Sequence, residues 1–539
     1  MFRLFLISGG LSAWLFAQSP VTATVAIDTT KVIKTFDRKL VGSNIEWFQE
    51  GDGIFSTQTG GLIDLDVTAA KDMGVGLIRF PGGTLADYYL WQDGIGPRSK
   101  RPIRPNVLSG GVSANDFGTP ELLTFAQRTG ADILMQTDVI SDTAASAAAW
   151  VNYCNIATNA ERIADGFPTP YPVRYWEIGN EQYMSSQGSS TPASFISASE
   201  YSQRFLQWSA AMKAVDPTIK VGAVTGKNFG PYAFVADPNW NKTVLQNAAK
   251  QIDFLALHNA YGPIVYEGSS VNIYDVYHAF WAFPCLVAQN LADIENDIST
   301  YAPTEAARIQ LAITEWGPLF HVDPSSPWID HTKTMGSAIF VANLLQVLVR
   351  TPQVALATQF KLVENSFMGA IQVNGIYKPF YYALQMFANN FGSNVVPTTV
   401  TSPTYASPQI GLVAAVPQVP LLDVVSSLSS DGTSLYIIAV NKSTTSPIHA
   451  SFTIKGFVPQ PTVVERLLTA PALDANNGPS LPVIPGITWA PQITLPTGSM
   501  FLAGSPGTVV TQTSKKTFVS NQYDFAALSV TALEFTRAK

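Results

Sequence analysis

Between Leu40 and about residue 390, short apolar runs alternate with stretches of helical periodicity. The runs are Leu40–Glu46, Gly76–Phe80, Asp132–Asp138, Val173–Asn180, Lys220–Thr225, Ile252–His258, Ile309–Glu315 and Val354–Leu362. Helical spacing follows each, as over Asp66–Met73, Glu121–Arg128, Ala144–Ile156, Ser197–Val215, Thr243–Gln251, Val276–Tyr301, Lys333–Arg350 and Phe380–Phe391. A buried parallel strand reads as a continuous apolar run, and each needs a crossover helix before the next. The alternation therefore predicts an α/β chain with a (β/α)8 TIM barrel. A doubly wound open sheet is the competing arrangement, but no GxGxxG or P-loop follows the first run to favour it.

Past residue 395 the helical period is lost. Pro, Thr and Ser punctuate short runs at Gln409–Val416, Ser434–Asn441, His449–Ile454, Ser499–Leu502 and Ser529–Phe535. That pattern predicts a C-terminal antiparallel β-sandwich. Thr22–Phe36 alternates loosely and has no helix of its own, so it is expected to join the sandwich. The organisation expected is 18–38 as an N-terminal strand segment, 39–392 as the barrel and 393–539 as the sandwich.

Ahead of these, Arg3 precedes a mostly apolar Leu4–Phe16, and Ala17, with Leu15 two positions before it, could form a cleavage site before Gln18-Ser19-Pro20. Residues 1–17 read as a signal peptide, too short to span a membrane. A secreted or periplasmic protein is expected, and no Cys follows to suggest a lipid anchor. A buried N-terminal helix is the alternative.

Charged residues are only 13% of the chain, against about 25% in typical domains. The net charge of −7 comes without a basic patch, which argues against nucleic acid and anionic membrane as partners. Neutral partners such as carbohydrates fit better. Two cysteines, Cys154 and Cys285, could pair or remain buried thiols. Five scattered histidines without CxxC or HExxH support no metal site, and no cofactor is expected.

The chemistry gathers at strand tips, where a barrel of this kind keeps its active site. Trp176-Glu-Ile-Gly-Asn-Glu181 ends the fourth run with Asn180 and Glu181, and Thr314-Glu315-Trp316 ends the seventh. Two carboxyl groups facing one cleft suit glycosidic cleavage, one giving a proton to the leaving oxygen and one acting across the ring. About 5–5.5 Å between them implies retention, and about 6.5–9.5 Å inversion. Glu46, Arg79, His258 and Tyr261 also lie at or beside tips, and Arg79 or His258 is suited to hold an ionised carboxylate. Trp91 and Trp316 could stack on sugar faces or pack the core.

Arg79-Phe-Pro-Gly-Gly-Thr-Leu-Ala-Asp-Tyr-Tyr-Leu-Trp91-Gln-Asp-Gly-Ile-Gly-Pro97 resembles the second-strand region of the α-L-arabinofuranosidases of glycoside hydrolase family 51. Trp176–Glu181 is similar to that family's acid/base strand, Thr314-Glu315-Trp316 to its nucleophile strand, and Leu257-His258 with Tyr261-Gly262 to its sixth-strand motif. Asn44-Ile-Glu46 resembles the first-strand motif. The resemblance implies a retaining glycosidase with Glu181 as acid/base, Glu315 as nucleophile and Asn180 on the sugar 2-hydroxyl. It further implies a substrate pocket including Glu46, Arg79, Thr84, Trp91, His258, Tyr261 and Trp316.

Three positions depart from the family pattern. Thr84 stands where Asn usually follows the Gly-Gly pair, Asn259-Ala260 separates His258 from Tyr261, and Gly375–Phe380 replaces a loop that carries Gln. All concern the sugar pocket. The expectation is an exported exo-acting arabinofuranosidase, with another furanosidase, a β-xylosidase or an endo-hemicellulase as the near alternative. A non-catalytic carbohydrate-binding protein on a glycosidase fold is the alternative of another class.

Overall fold

The computed structural model describes residues 21–107, 111–184, 195–227, 235–258, 260–262, 272–320, 329–364, 368–372, 376–478 and 508–538. The expected signal peptide and the expected strand at Ser499–Leu502 lie outside them. Eight parallel strands close a barrel: β1 (Gly42–Asn44), β2 (Leu77–Phe80), β3 (Asp132–Thr137), β4 (Tyr175–Ile178), β5 (Lys220–Thr225), β6 (Phe254–Leu257), β7 (Gln310–Gly317) and β8 (Val354–Gln359). Closure comes from β8 against β1, with Thr358 opposite Gly42 and Gln359 opposite Ser43. β6 continues the ring onto β7, with Phe254 opposite Gln310. The strands are buried on both faces, which is why they read as unbroken apolar runs rather than alternating ones.

Two irregularities shape the catalytic end of the barrel. The ladder between β7 and β8 shifts register between Ile313 and Trp316. After β6 stops at Leu257, the short segment Ala260–Tyr261 pairs with Trp316 and Gly317. The tip of β7 is thus carried beyond the ring, and Tyr261 is drawn alongside Glu315.

Two antiparallel-rich sheets form the second body. In one, Val21–Asp28 lies between Thr398–Thr401 and Ile448–Lys455, with Gln522–Phe525 beyond. The other is a seven-stranded sheet running from Lys34–Thr35 to Gln512–Thr517. Val25, Ile27, Val424, Ile437, Phe452, Phe525 and Phe535 fill the space between them. The run expected at Gln409–Val416 is only an Ile410–Val413 bridge, and the strand begins at Val416, because Gly411 takes a left-handed conformation (φ 54°) that a strand does not accommodate.

The helix Met335–Arg350 joins the two bodies. It is buried from Met335 to Val349, as an all-round apolar helix must be. Asn343, Gln346 and Arg350 face the sandwich. Asn343 Nδ2 donates to Asp423 Oδ2 (3.0 Å), Gln346 donates to the carbonyls of Asp423 and Ile438, and Arg350 pairs with Asp423. Cys154 and Cys285 are both free thiols. No helix among the described residues is long and apolar enough to cross a membrane.

Candidate active site

The floor of the cleft is built around a buried guanidinium. Arg79, on β2, is fully closed to solvent and uses its donors on three strands. Its Nε and Nη2 grip Glu177 of β4 at 2.7 and 3.1 Å. Nη1 reaches Glu315 Oε1 at 2.7 Å and Asn44 Oδ1 at 3.1 Å, and Nη2 reaches Asn180 Oδ1 at 3.0 Å. A planar fork with five donors suits this task, since each buried oxygen needs a partner in a fixed direction. Arg79 therefore sits in the floor of the cleft, holding the residues that face it.

Glu177 is the residue that the sequence motif carried without a role. Burial would raise its pKa, but the Arg79 fork and the His258 ring, 3.8 Å away, outweigh this and hold it below the ordinary carboxylate value. It also accepts from Thr314 Oγ1 at 3.3 Å, so it ties β2, β4 and β7 together. A charged residue inside an apolar run was the available signal. Its partner, 98 residues away, was not.

Glu181 and Glu315 meet across this floor. His258 Nδ1 lies 2.9 Å from Glu181 Oε1 and 3.7 Å from Glu315 Oε2, while Nε2 is 3.0 Å from Thr314 Oγ1. One carboxylate oxygen from each glutamate and a ring nitrogen of His258 all fall within 4.8 Å of one another. Burial alone would lower the His258 pKa. The Glu315 charge, the Glu177 carboxylate 3.8 Å away and the hydrogen bond to Glu181 reverse that and push it to about 9. Such a trio could ligate a divalent ion, but the donor atoms are the ones substrate would need, and the histidine proton competes for them.

The second oxygen of Glu315 accepts from Tyr261 Oη at 2.7 Å. Burial, then the neighbouring Glu315 charge, raises the Tyr261 pKa well above its usual value, which keeps the phenol a donor. Asn180 Oδ1 is occupied by Arg79 and by Gln136 Nε2 (3.0 Å), and none of the described residues accepts from its amide hydrogens. The tip carrying Asn180 is clamped by Gln182, whose Oε1 accepts from Asn180 N (2.8 Å) and whose Nε2 donates to both oxygens of buried Asp87. Gly179 permits this clamp: it adopts φ 89°, and a Cβ there would collide with Gln182 Oε1.

At the tip of β1, Glu46 is buried against the backbone of Gly83, next to half-buried Thr84. Its backbone N–H donates to Asp52 Oδ2 (2.7 Å), and its Oε2 accepts from Lys361 Nζ (2.6 Å). Lys361 also pairs with Asp52. Burial pushes both carboxyl groups upward, Glu46 to about 8 and Asp52 to about 6, while Lys361 opposes the rise in each. Neither Asp52 nor Lys361 carried any sequence signal of a site.

The two tryptophans expected as stacking surfaces are closed to solvent. Trp91 stacks on Trp150 with centroids 5.8 Å apart and planes within 3°, and its indole donates to Ser146. Trp316 is wholly buried within the barrel's apolar cluster. Both rings fill core volume between strands and helices, where a large apolar side chain gains most from burial.

Two glutamates this close on β4 and β7 of a closed parallel barrel have the geometry of a retaining glycoside hydrolase. An alpha-L-arabinofuranosidase 1 domain model matches residues 69–259, and an alpha-L-arabinofuranosidase C-terminal domain model matches residues 314–488, together more than half of the chain. The intracellular exo-α-(1→5)-L-arabinofuranosidase of Halalkalibacterium halodurans is 26% identical over 468 residues, covering 81% of this chain and 88% of that one. Alpha-L-arabinofuranosidase C of Emericella nidulans is 27% identical, covering 68% of this chain and 72% of its own. Among solved structures, the thermostable GH51 alpha-L-arabinofuranosidase of Thermotoga petrophila RKU-1 superimposes with a TM-score of 0.77 at 26% identity, over 95% of this chain and 100% of that one. The Thermotoga maritima alpha-L-arabinofuranosidase in its arabinose complex gives 0.75 at 26%, over 95% and 99%. The chain belongs to glycoside hydrolase family 51.

Proposed function

We propose that the protein removes α-L-arabinofuranosyl residues from oligosaccharides or polysaccharides by double displacement. The observation that carries this is the Glu181–Glu315 pair, with carboxylate oxygens within 4.8 Å of one another. That spacing leaves no room for a water between carboxylate and sugar, so one glutamate attacks carbon directly. Glu315 is the nucleophile: Arg79 and Tyr261 bind its two oxygens and aim it. Glu181, 19% exposed at the cleft, gives its proton to the leaving oxygen and then takes one from the incoming water. His258 touches Glu181 and orients it for both steps. The amide hydrogens of Asn180, which no described residue accepts, bind the 2-hydroxyl, a contact that strengthens as positive charge develops at the reacting carbon.

The arabinose bound by the Thermotoga maritima relative supports the sugar assignment. Thr84 in the Gly83 turn is the observation behind a second reading, in which the same mechanism acts on another furanoside or a β-xyloside. Turnover of 4-nitrophenyl α-L-arabinofuranoside with the α-anomer as first product supports the first reading. Silence on it with turnover of another glycoside establishes the second. Glu315→Ala rescued by azide to the inverted glycosyl azide identifies the nucleophile, and hydrolysis surviving in that variant rules out the assignment. A protein that binds arabinoside without turning it over is the non-catalytic outcome. We further propose export, from the charged start and apolar run of residues 1–17. The Halalkalibacterium relative is intracellular, so sequencing the N-terminus of the mature protein decides the point.

A further inference from the structure

Lys361 sits where the pocket wall is formed, on the turn that follows β8. It is 4% exposed, with Glu46 at 8% and Asp52 at 5%. Its ammonium bonds Glu46 Oε2 at 2.6 Å and pairs with Asp52, which in turn holds the Glu46 backbone N–H. Phe48 and Phe360 lie beside the ammonium with ring centroids 5.8 and 5.7 Å away, and Glu364 stands at 3.9 Å. Its backbone is pinned as well: Lys361 N donates to Met368 O, and Ala370 N donates to Lys361 O. The side chain is therefore anchored at both ends.

The consequence falls on Glu46. With Oε2 taken by the ammonium, Oε1 receives no hydrogen bond from the described residues, and it lies against the Gly83 backbone beside Thr84. A carboxylate oxygen that no described residue bonds can accept a hydrogen bond from a ligand. A sugar hydroxyl supplies it. Two carboxyl groups share one ammonium here, so removing that cation would leave both buried without compensation, and Glu46 would be free to turn.

We propose that Lys361 is a positioning residue for sugar recognition: its ammonium, shared with Asp52, fixes Glu46 so that Oε1 meets one hydroxyl of the non-reducing furanose. This rests on the arabinofuranosidase reading above. It assigns Lys361 no contact with the substrate; it acts through Glu46.

A cycle of enzyme variants and substrate analogues tests it. 4-Nitrophenyl α-L-arabinofuranoside is compared with its 2-, 3- and 5-deoxy analogues on the native enzyme, Glu46→Gln and Lys361→Met. The analogue whose penalty disappears in Glu46→Gln identifies the hydroxyl that Glu46 binds. Lys361→Met is expected to lower kcat/KM on the full substrate by about tenfold to a hundredfold, the size of one charge-assisted hydrogen bond. On that deoxy analogue its effect shrinks to about twofold, because the bond it secures is already missing. An equal loss on every substrate would make Lys361 merely structural and overturn the proposal. So would an unchanged kcat/KM. Should Lys361→Met lose its native circular dichroism, Asp52→Ala, which keeps the ammonium but removes the acceptor of the Glu46 backbone N–H, is run through the same cycle. If the native enzyme ignores arabinofuranosides, the substrate reading fails first, and the cycle is repeated with deoxy analogues of the sugar it does cleave.

Discussion

Replacing His258 by Gln tests the electrostatics of the site directly. The imidazole is 2% exposed and lies within 4 Å of Glu177, Glu181 and Glu315. Burial acts against its charged form, yet the Glu315 charge, the nearby Glu177 carboxylate and the bond to Glu181 push its pKa from 6.5 to about 9. A rise of this size corresponds to about 3 kcal/mol of stability. Because the folded value is the higher one, that contribution is complete below about pH 6.5 and is lost as pH rises through about 9. Two measurements follow. With histidine labelled in 13C, one of five ring resonances should titrate near pH 9 in the native protein and be absent from His258→Gln. The unfolding free energy of the native protein relative to His258→Gln should fall by about 3 kcal/mol between about pH 6 and 10, and kcat/KM should decline on the same alkaline limb. A His258 resonance titrating at or below 6.5, or native and variant proteins sharing one pH slope, would refute the reasoning.

Three further outcomes are expected. Glu177→Gln leaves Arg79 without its forked partner in a site closed to water, so thermal unfolding should show a loss of about 3–5 kcal/mol and kcat should fall at least about a hundredfold; a variant with native kcat would mean that Arg79 is held well enough by Glu315 alone. Gly179→Ala must strain a left-handed backbone and displace Gln182, and should cost about 1–3 kcal/mol while lowering kcat more than KM changes. Asp423→Ala removes the acceptor that Asn343 and Arg350 share between barrel and sandwich, so denaturation followed by fluorescence should show the midpoint lowered, with kcat at the native temperature unchanged.

The barrel was legible because each of its strands is buried on both sides and followed by a helix with one apolar stripe, a pattern that survives in the one-dimensional order. The positions of Glu181 and Glu315 were legible for a related reason: a polar residue ending an apolar run marks a strand tip, and barrel tips face one cleft. Arg79 carries two readings in sequence: as a partner for an ionised carboxylate, which its 2.7 Å bond to Glu315 matches, and, through the family resemblance, as part of the sugar pocket, to which it presents no exposed surface. Trp91 and Trp316 were ambiguous because an aromatic ring suits a sugar face and a core equally well; burial resolves both toward packing.

By itself, then, the order of residues determined the alternation of strand and helix, the change to a sandwich and the two acids at strand tips. Each of these depends on local periodicity or on a neighbouring turn. The tertiary structure alone decided which charges meet. Glu177 finds Arg79 across 98 residues, Tyr261 reaches Glu315 through a resumed strand, and Lys361 closes on Glu46 across 315. Such pairs are set by barrel closure, which brings β8 against β1, and by the register shift at β7. Closure is a property of the whole ring, and no window along the chain contains it.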